Sequence, residues 1–446
     1  MTARFPPGPP RGFPGQQLIA MRRNPLAYLP RIAREYGDLV HLRFGKQDIY
    51  LVNDPEAIRD ILVTNNRQFK KGKGLEGAKK LLGEGLLTSE GSFHLRQRRL
   101  AQPAFHRERV AGYVDVMVDC AERTSARWKV GDEVDMAHEM SRLTLTIVGK
   151  TLFGAEVEEE AEEIGEAIAS AFVLFNHMWF PYADLIERLP FGPGRRFRNS
   201  RARLDQTIYR MIAGHRAGGT DRGDLLSMLI MARDEEDQGA MMSDEQIRDE
   251  AITIFLAGHE TTALALTWTW YLLAQHPEVE TRLRAELTGV LNGRRPTMSD
   301  WPSLPYTEMV LAESMRCYPP VWILGRRALT DYPIGKYTIA RGSILLMSQY
   351  VTGHDERWYP EPDRFDPDRW TPEGRASRPK FSYFPFGGGT RVCIGETFAW
   401  IEAGLVLATL MQTWRPGLVA DQTVVPRPSI TLRPRDGIRM VLERVS

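Results

Sequence analysis

The chain has 446 residues, 43% of them hydrophobic and 26% charged, the composition of a globular protein with a sizeable core. Its formal net charge is +1, so bulk charge gives no grip on nucleic acid or on an acidic membrane surface. Three cysteines occur, Cys120, Cys317 and Cys393, with no CxxC pair, which excludes a disulfide framework and fits a reducing cytoplasm.

Residues 1–15 (MTARFPPGPPRGFPG) have neither an apolar stretch nor a cleavage pattern. They are read as a proline-stiffened arm, not a signal peptide. The stretch 38–54 alternates as a hairpin: Val40, Leu42 and Phe44 share a face, Gly45-Lys46-Gln47 turns, and Ile49 and Leu51 return. A 3.6-residue period then predicts helices through 55–65, 90–130, 136–153, 160–176 and 197–233. Residues 72–88 are glycine-rich and read as a loop, yet they carry Leu75, Leu81, Leu82, Leu86 and Leu87. A loop that apolar folds back over something.

The longest helix has a clear start, because Ser243-Asp244-Glu245-Gln246 is an S-x-x-Q capping box with acidic residues at the positive end of the dipole. Pro277 stops it, so a helix over 244–276, about 50 Å long, is expected. Its segment 251–274 is apolar enough to suggest a membrane span. However, His259 and Glu260 lie at its centre, where hydrocarbon makes ionisable groups costly, so a core helix is expected instead. Helices follow at 278–292 and 305–317, short strands at 325–346, and a proline-rich and glycine-rich meander at 354–390. A last helix over 396–413 and terminal strands close the chain. No repeat and no Gly/Ser linker divides it. One domain over 1–446 is expected, mainly α with a small β part (α+β).

Within the segment 386–395 (FGGGTRVCIG), three consecutive glycines allow positive φ and a close approach to a flat ligand. Cys393 precedes a predicted helix, whose N-terminal partial charge favours a thiolate, and Arg391 adds a cation two residues away. On these residues alone an inert buried cysteine stays open. A phosphate cradle does not, since no Gly-Lys-Ser/Thr follows the glycines.

The ten residues resemble the haem-binding loop of the cytochrome P450 superfamily, F-G-x-G-x-R-x-C-x-G, at every fixed position. The resemblance implies the cytochrome P450 fold, a long central helix over haem b, and Cys393 as proximal iron ligand, with Phe386, Gly387, Arg391 and Gly395 forming the cofactor loop. It covers nearly the whole chain, and other motifs fall in the family's order. Glu313-Ser314-Met315-Arg316 resembles E-x-x-R, and Pro362-Asp363-Arg364-Phe365 resembles P-E-R-F with Asp in place of Glu, which implies a buried network of Glu313, Arg316 and Arg364. Ala257-Gly258-His259-Glu260-Thr261-Thr262 matches A/G-G-x-D/E-T-T. There the resemblance makes Ala257 a haem contact and Glu260 and Thr261 the acid–alcohol pair that manages protons, with Gly258 leaving room for oxygen. The start of H-E-x-x-H at His259 is not completed, because its fifth residue is Ala263. Residues 91–105 (GSFHLRQRRLAQPAF) resemble G-x-x-W-x-x-x-R-R-L-x-x-P-A-F, with His94 in place of tryptophan. They imply His94 and Arg98 as propionate partners, with Arg326 as a third.

The activity implied is a haem-thiolate monooxygenase that inserts one atom of O2 into a C–H bond. With no flavin or iron–sulfur segment in the sequence, a separate ferredoxin or flavodoxin-type donor and its reductase supply electrons, docking near the cysteine, where Arg96, Arg98 and Arg99 are also expected. By resemblance the pocket draws on Leu81, Leu82, Leu86, Phe172, Phe175, Phe255, Ala257, Val321, Trp322, Ile323, Leu324 and Ile430. These are nearly all apolar, which implies a lipophilic substrate: a fatty acid, terpenoid or steroid. The A-G-H-E-T-T form is common in the fatty-acid-hydroxylating bacterial branch, although no arginine is placed to hold a fatty carboxylate. A cytoplasmic monomer is expected, with no nucleic acid and no membrane span. The rivals are a peroxide-driven peroxygenase, which typically lacks the acid–alcohol pair, and a non-catalytic haem-binding sensor.

Overall fold

A computed structural model describes residues 5–10, 12–13, 15–154 and 192–445. The predicted hairpin is β1 (Leu39–Phe44) and β2 (Gln47–Val52), with Phe44 opposite Gln47 and Gly45 at φ 61°, so Gly45-Lys46 alone makes the turn. Val40, Leu42, Ile49 and Leu51 share one apolar cluster, as their alternation requires. Three more strands, β3 (Phe69–Lys71), β4 (Leu324–Ala328) and β5 (Ile344–Met347), complete a mixed sheet in the order β1-β2-β5-β4-β3. Only β5 and β2 run parallel in it. The β3–β4 register sets Lys71 directly opposite Arg326.

The central helix runs from Asp244 to Leu273, about 45 Å. Its capping box forms as the sequence predicts: Gln246 N donates to Ser243 Oγ at 3.2 Å, and Ser243 N to Gln246 Oε1 at 3.0 Å. It ends earlier than expected, because Gln275 N and His276 N bond three residues back and tighten the chain ahead of Pro277. Most of its residues are buried, against helices Met136–Phe153, Pro305–Cys317 and Glu396–Met411. No described helix is long and apolar enough to cross a membrane.

Helices Pro277–Leu291, Pro305–Cys317 and Glu396–Met411 lie where predicted, and the predicted helix 160–176 lies outside the described residues. The apolar loop expected over 72–88 is corrected, since Lys73–Leu82 is helical. Ala78 and Leu82 lie four residues apart on one buried face, and that periodicity outweighs Gly74 and Gly77 in the helix's first turns.

The meander is held by a different arginine from the one expected. Glu313 and Arg316 are both fully buried, with Arg316 Nε and Nη2 each 2.8 Å from a Glu313 carboxylate oxygen. Trp370 Nε1 and Asp366 N, each at 2.9 Å, also donate to that carboxylate. The further guanidinium is Arg369, with Nε 3.4 Å from Glu313 Oε1. Arg364 points outward, 63% exposed beside Glu361, and contributes only its backbone carbonyl to Arg316. Two Pro-Asp-Arg-aromatic segments stand five residues apart, and it is the second, Pro367-Asp368-Arg369-Trp370, that turns its arginine inward.

Candidate functional site

The cysteine loop is shaped by its glycines. Gly387 and Gly389 adopt φ of 74° and 66°, and a Cβ on Gly389 would lie 2.1 Å from the Leu62 carbonyl oxygen. Cys393 N donates to Phe386 O at 2.9 Å, closing the loop, while the Gly395 N–H points at the sulfur. The Phe386 ring packs against Trp400, 5.7 Å between centroids.

Cys393 is exposed, yet surrounding protein desolvates it and pushes its thiol up to about 11. Arg326 shows the same combination: it is partly exposed, but burial pulls it down to about 10. Ala257 is exposed in the middle of the otherwise buried central helix. Exposure of groups that protein nevertheless desolvates means that Cys393 and Arg326 border an internal space, or chamber, and the exposure of Ala257 marks an opening along the buried helix. The sulfur also corrects an expectation. Desolvation outweighs the Gly395 N–H that favours the thiolate, and the cation that the sulfur feels is Arg98, not Arg391. Arg98 Nη1 bonds to Val392 O at 2.6 Å, whereas Arg391 reaches Ser89 O at 2.7 Å and pairs with Glu90. A desolvated thiol of this kind loses its proton when it binds a metal.

The propionate expectation rests on His94, Arg98 and Arg326. His94 is 3% exposed, with Nδ1 3.4 Å from Ser89 Oγ and Nε2 unpartnered; burial, then Arg391 and Lys71, pull it down to about 3. It is therefore a neutral, buried ring, with the Thr390 backbone beside it and no well-formed hydrogen bond at Nε2. Arg391 and Lys71 act on Arg326 and His94 electrostatically, so they belong to the same basic region. The residues fit haem on three counts: a metal-binding sulfur facing the chamber, a glycine floor that excludes side chains, and buried donors suited to a dianionic edge. Lys71 was not anticipated from the sequence. Its signal was only a lysine in a short strand, whose partner strand lies far along the chain.

On the central helix, the Thr261 hydroxyl bonds to Ala257 O at 2.7 Å. Glu260 turns to the terminal hairpin formed by Pro426–Pro428 and Leu432–Pro434, accepting from Thr431 Oγ1 at 2.6 Å and pairing with Arg433. The two members of the expected pair thus keep separate partners. Gly258 does not serve the chamber as expected: a Cβ there would lie 3.3 Å from Val148 Cγ2, so its bare face lets helix Met136–Phe153 approach. His259 turns to the same helix, bonding Ser141 Oγ at 2.9 Å.

Two pocket expectations are corrected. Phe255 is 2% exposed and packs on Phe153, centroids 5.5 Å apart, in the main core. Trp322 is 6% exposed in the hairpin's apolar cluster, with Nε1 bonded to Ser429 O. Leu82 and Leu86 are buried, whereas Leu81, Val321, Ile323, Leu324 and Ile430 are partly exposed. Phe172 and Phe175 lie outside the described residues. The expected basic docking face is also changed: Arg96 and Arg99 pair with Asp234 at 2.8 and 2.7 Å, Arg99 also pairs with Glu236, and Arg98 turns inward.

The family model described as Cytochrome P450 matches residues 6–439. Cyclooctatin synthase of Streptomyces melanosporofaciens is 40% identical over 427 residues, 95% of this chain and 92% of its own. Pentalenene oxygenase of Streptomyces avermitilis is 37% identical over 409 residues, covering 91% and 90%. Cyclooctat-9-en-7-ol 5-monooxygenase of Streptomyces melanosporofaciens is 36% identical over 401 residues, covering 89% and 86%. Among solved structures, the cytochrome P450DA heme domain superposes with a TM-score of 0.90 at 27% identity, over 100% of this chain and 98% of that one.

Proposed function

The chain belongs to the cytochrome P450 family and is a haem-thiolate monooxygenase of lipophilic molecules, and from that premise we propose that its substrate is a cyclic terpenoid oxidised in the chamber between Cys393 and Ala257. The observation that supports the reading is the Cys393 sulfur, exposed on a glycine loop although the protein around it desolvates it. Bound there, haem supplies the iron at which O2 is activated for attack on a C–H bond. Cys393 is the proposed iron ligand, and Arg98, Arg326 and the Nε2 of His94 are the proposed partners of the haem carboxylates.

The other residues orient substrate and move protons. The hydroxyl of Thr261, tethered to Ala257 O, is the proposed donor on the oxygen side. Glu260, anchored by Thr431 and the partly exposed Arg433, is the proposed carrier between that hydroxyl and outer water. Leu81, Ile323, Leu324 and Ile430 offer apolar surface and no charge, which supports a neutral skeleton over a fatty acid with a carboxylate to hold. The relatives' names, which mention pentalenene and cyclooctat-9-en-7-ol, support a terpenoid among the classes left open by the sequence. A separate redox partner supplies electrons; a ferredoxin or flavodoxin-type carrier acting on a cytoplasmic monomer is the form proposed.

The test is turnover of a panel of cyclic terpenes under 18O2 with a surrogate ferredoxin and reductase. One 18O atom per product alcohol is expected. Oxidation of fatty acids alone would overturn the terpenoid assignment, and equal turnover with peroxide alone would favour the peroxygenase.

A further inference from the structure

Cys393 and Glu396 stand at the two ends of a tight turn. Gly395, at φ −90° and ψ 15°, has the dihedrals of the third residue of a type I turn. The run Cys393-Ile394-Gly395-Glu396 therefore brings its first and last Cα atoms within about 7 Å. Glu396 is also the first residue of helix Glu396–Met411. Residues four apart share a helix face, and on that face the Trp400 indole lies beside the Glu396 carboxyl. The Trp400 ring packs on Phe386, whose carbonyl receives the Cys393 N–H at 2.9 Å. Acid, indole, phenyl ring and cysteine thus form one closed circuit, which keeps the carboxyl on the cysteine side of the helix.

Charge around the sulfur is set by two side chains of opposite sign. Glu396 is partly exposed and forms no ion pair among the described residues. Burial pushes its carboxyl up, while the exposed Lys380 and then Trp400 favour the charged form. The Cys393 sulfur feels this carboxylate more strongly than it feels Arg98, and in the opposite sense. Arg98 spends Nη1 on the Val392 carbonyl at 2.6 Å, and Arg391 is taken by Glu90. A helix N-terminus by itself favours an anionic sulfur. Here the chain places a second anion against it, one turn away.

We infer that Glu396 tunes the cofactor through the sulfur: its carboxylate lowers the reduction potential of a haem bound at Cys393 and strengthens the donation of the sulfur to the iron. The inference rests on the haem reading above. Reduction adds one electron, taken from the separate redox partner, and leaves the haem with its ligands one unit more negative, with no bond made or broken. A fixed anion nearby favours the oxidised state for that reason. The same field raises the energy of the sulfur electrons, and thiolate donation to the iron rises with it. Glu396 works through the iron ligand, so its role is positioning of charge and not catalysis.

The experiment is a spectroelectrochemical titration of the haem-loaded protein without substrate, for wild type, Glu396→Gln, Glu396→Asp, Trp400→Phe and Lys380→Met. Glutamine keeps the size and removes the charge. At a fixed solution potential it is expected to favour reduced iron about three- to tenfold, roughly 30–60 mV for one electron. Aspartate keeps the charge and should stay near wild type. Trp400→Phe releases the carboxyl toward water and should shift the potential the same way as glutamine, by less. Lys380→Met removes the opposing cation and should shift it the other way. That variant lies at the exposed surface, so it keeps the inference testable if the glutamine variant does not fold. In the reduced carbon monoxide form, Glu396→Gln should raise the C–O stretching frequency, because a weaker sulfur donor leaves less electron density for the ligand. An acid that serves only the helix start would change urea stability and leave potential and stretch in place. An unmoved or lowered potential in Glu396→Gln, an equal shift in Glu396→Asp, or a raised potential in Lys380→Met would overturn the inference. A wild type without the thiolate-type Soret band under carbon monoxide would sink the haem reading itself, and that is seen before any potential is compared.

Discussion

The buried network under the meander makes a quantitative prediction that separates two neighbouring arginines. In Glu313→Gln, one carboxylate oxygen becomes an NH2 group. Each oxygen of Glu313 receives an Arg316 donor and one further donor, from Asp366 N or Trp370 Nε1. Either amide orientation therefore turns two acceptor contacts into donor–donor contacts. Arg316 keeps the carbonyls of Gly353, Pro362 and Arg364 but loses its counter-charge in full burial. Uncompensating one partner of such a pair costs about 3–5 kcal/mol. For 446 residues, at about 2.1 cal/mol/K of unfolding entropy each, that lowers the Tm by roughly 3–5 °C. Arg369→Met, which loses a looser contact and a bond to Glu361 O at 3.0 Å, should cost about 1–3 kcal/mol. Arg364→Met, at the surface, should stay within about 0.5 kcal/mol of wild type. Urea unfolding followed by tryptophan fluorescence and by the Soret band measures all three. An Arg364 variant as damaging as the Arg369 variant, or a Glu313→Gln cost below about 1 kcal/mol, would refute the assignment.

Replacing Thr261 with alanine should uncouple electron use from product, releasing peroxide; unchanged NADPH-to-product stoichiometry would remove its proton role. Arg433→Met should slow turnover without moving the substrate-binding constant, and a larger solvent isotope effect would show the change in proton supply. Gly258→Ala pushes a methyl group against Val148 Cγ2 at 3.3 Å, costing about 1 kcal/mol. Adding Val148→Ala should restore part of it, whereas an oxygen-binding defect at unchanged stability would return Gly258 to the chamber. His259 and His354 are both pulled down by burial to about 4. The unfolded chain binds their protons first, so their contribution to stability is complete above about pH 6.5 and is lost as pH falls toward 4. In urea titrations, His259→Gln should flatten stability against pH across that window; an unaltered slope would contradict the neutral, buried ring.

Chemistry that is contiguous in the sequence was legible. The cysteine loop, the helix-start box at Ser243 and the proline stop at Pro277 each act through neighbours within a few residues, and the structure keeps them in place. What failed depended on phase or on distant pairing. Phe255 and Ala257 stand about 200° apart around a helix, so both could not face one chamber, and the buried face claimed the larger side chain. Gly258 looks alike whether it makes room for a ligand or for Val148. Arg364 and Arg369 sit in near-identical segments, and only the fold of the meander decides which one turns inward. Lys71 gains its meaning from a strand register with Arg326, which no local pattern encodes.

The central claim is that the Cys393 sulfur ligates haem iron. The reduced protein with carbon monoxide, measured beside Cys393→His, tests it most directly. The account predicts the red-shifted Soret band of thiolate ligation in the wild type and its replacement by an imidazole-type band in the variant. A wild-type band already at the imidazole position, or one that the substitution leaves in place, would contradict it.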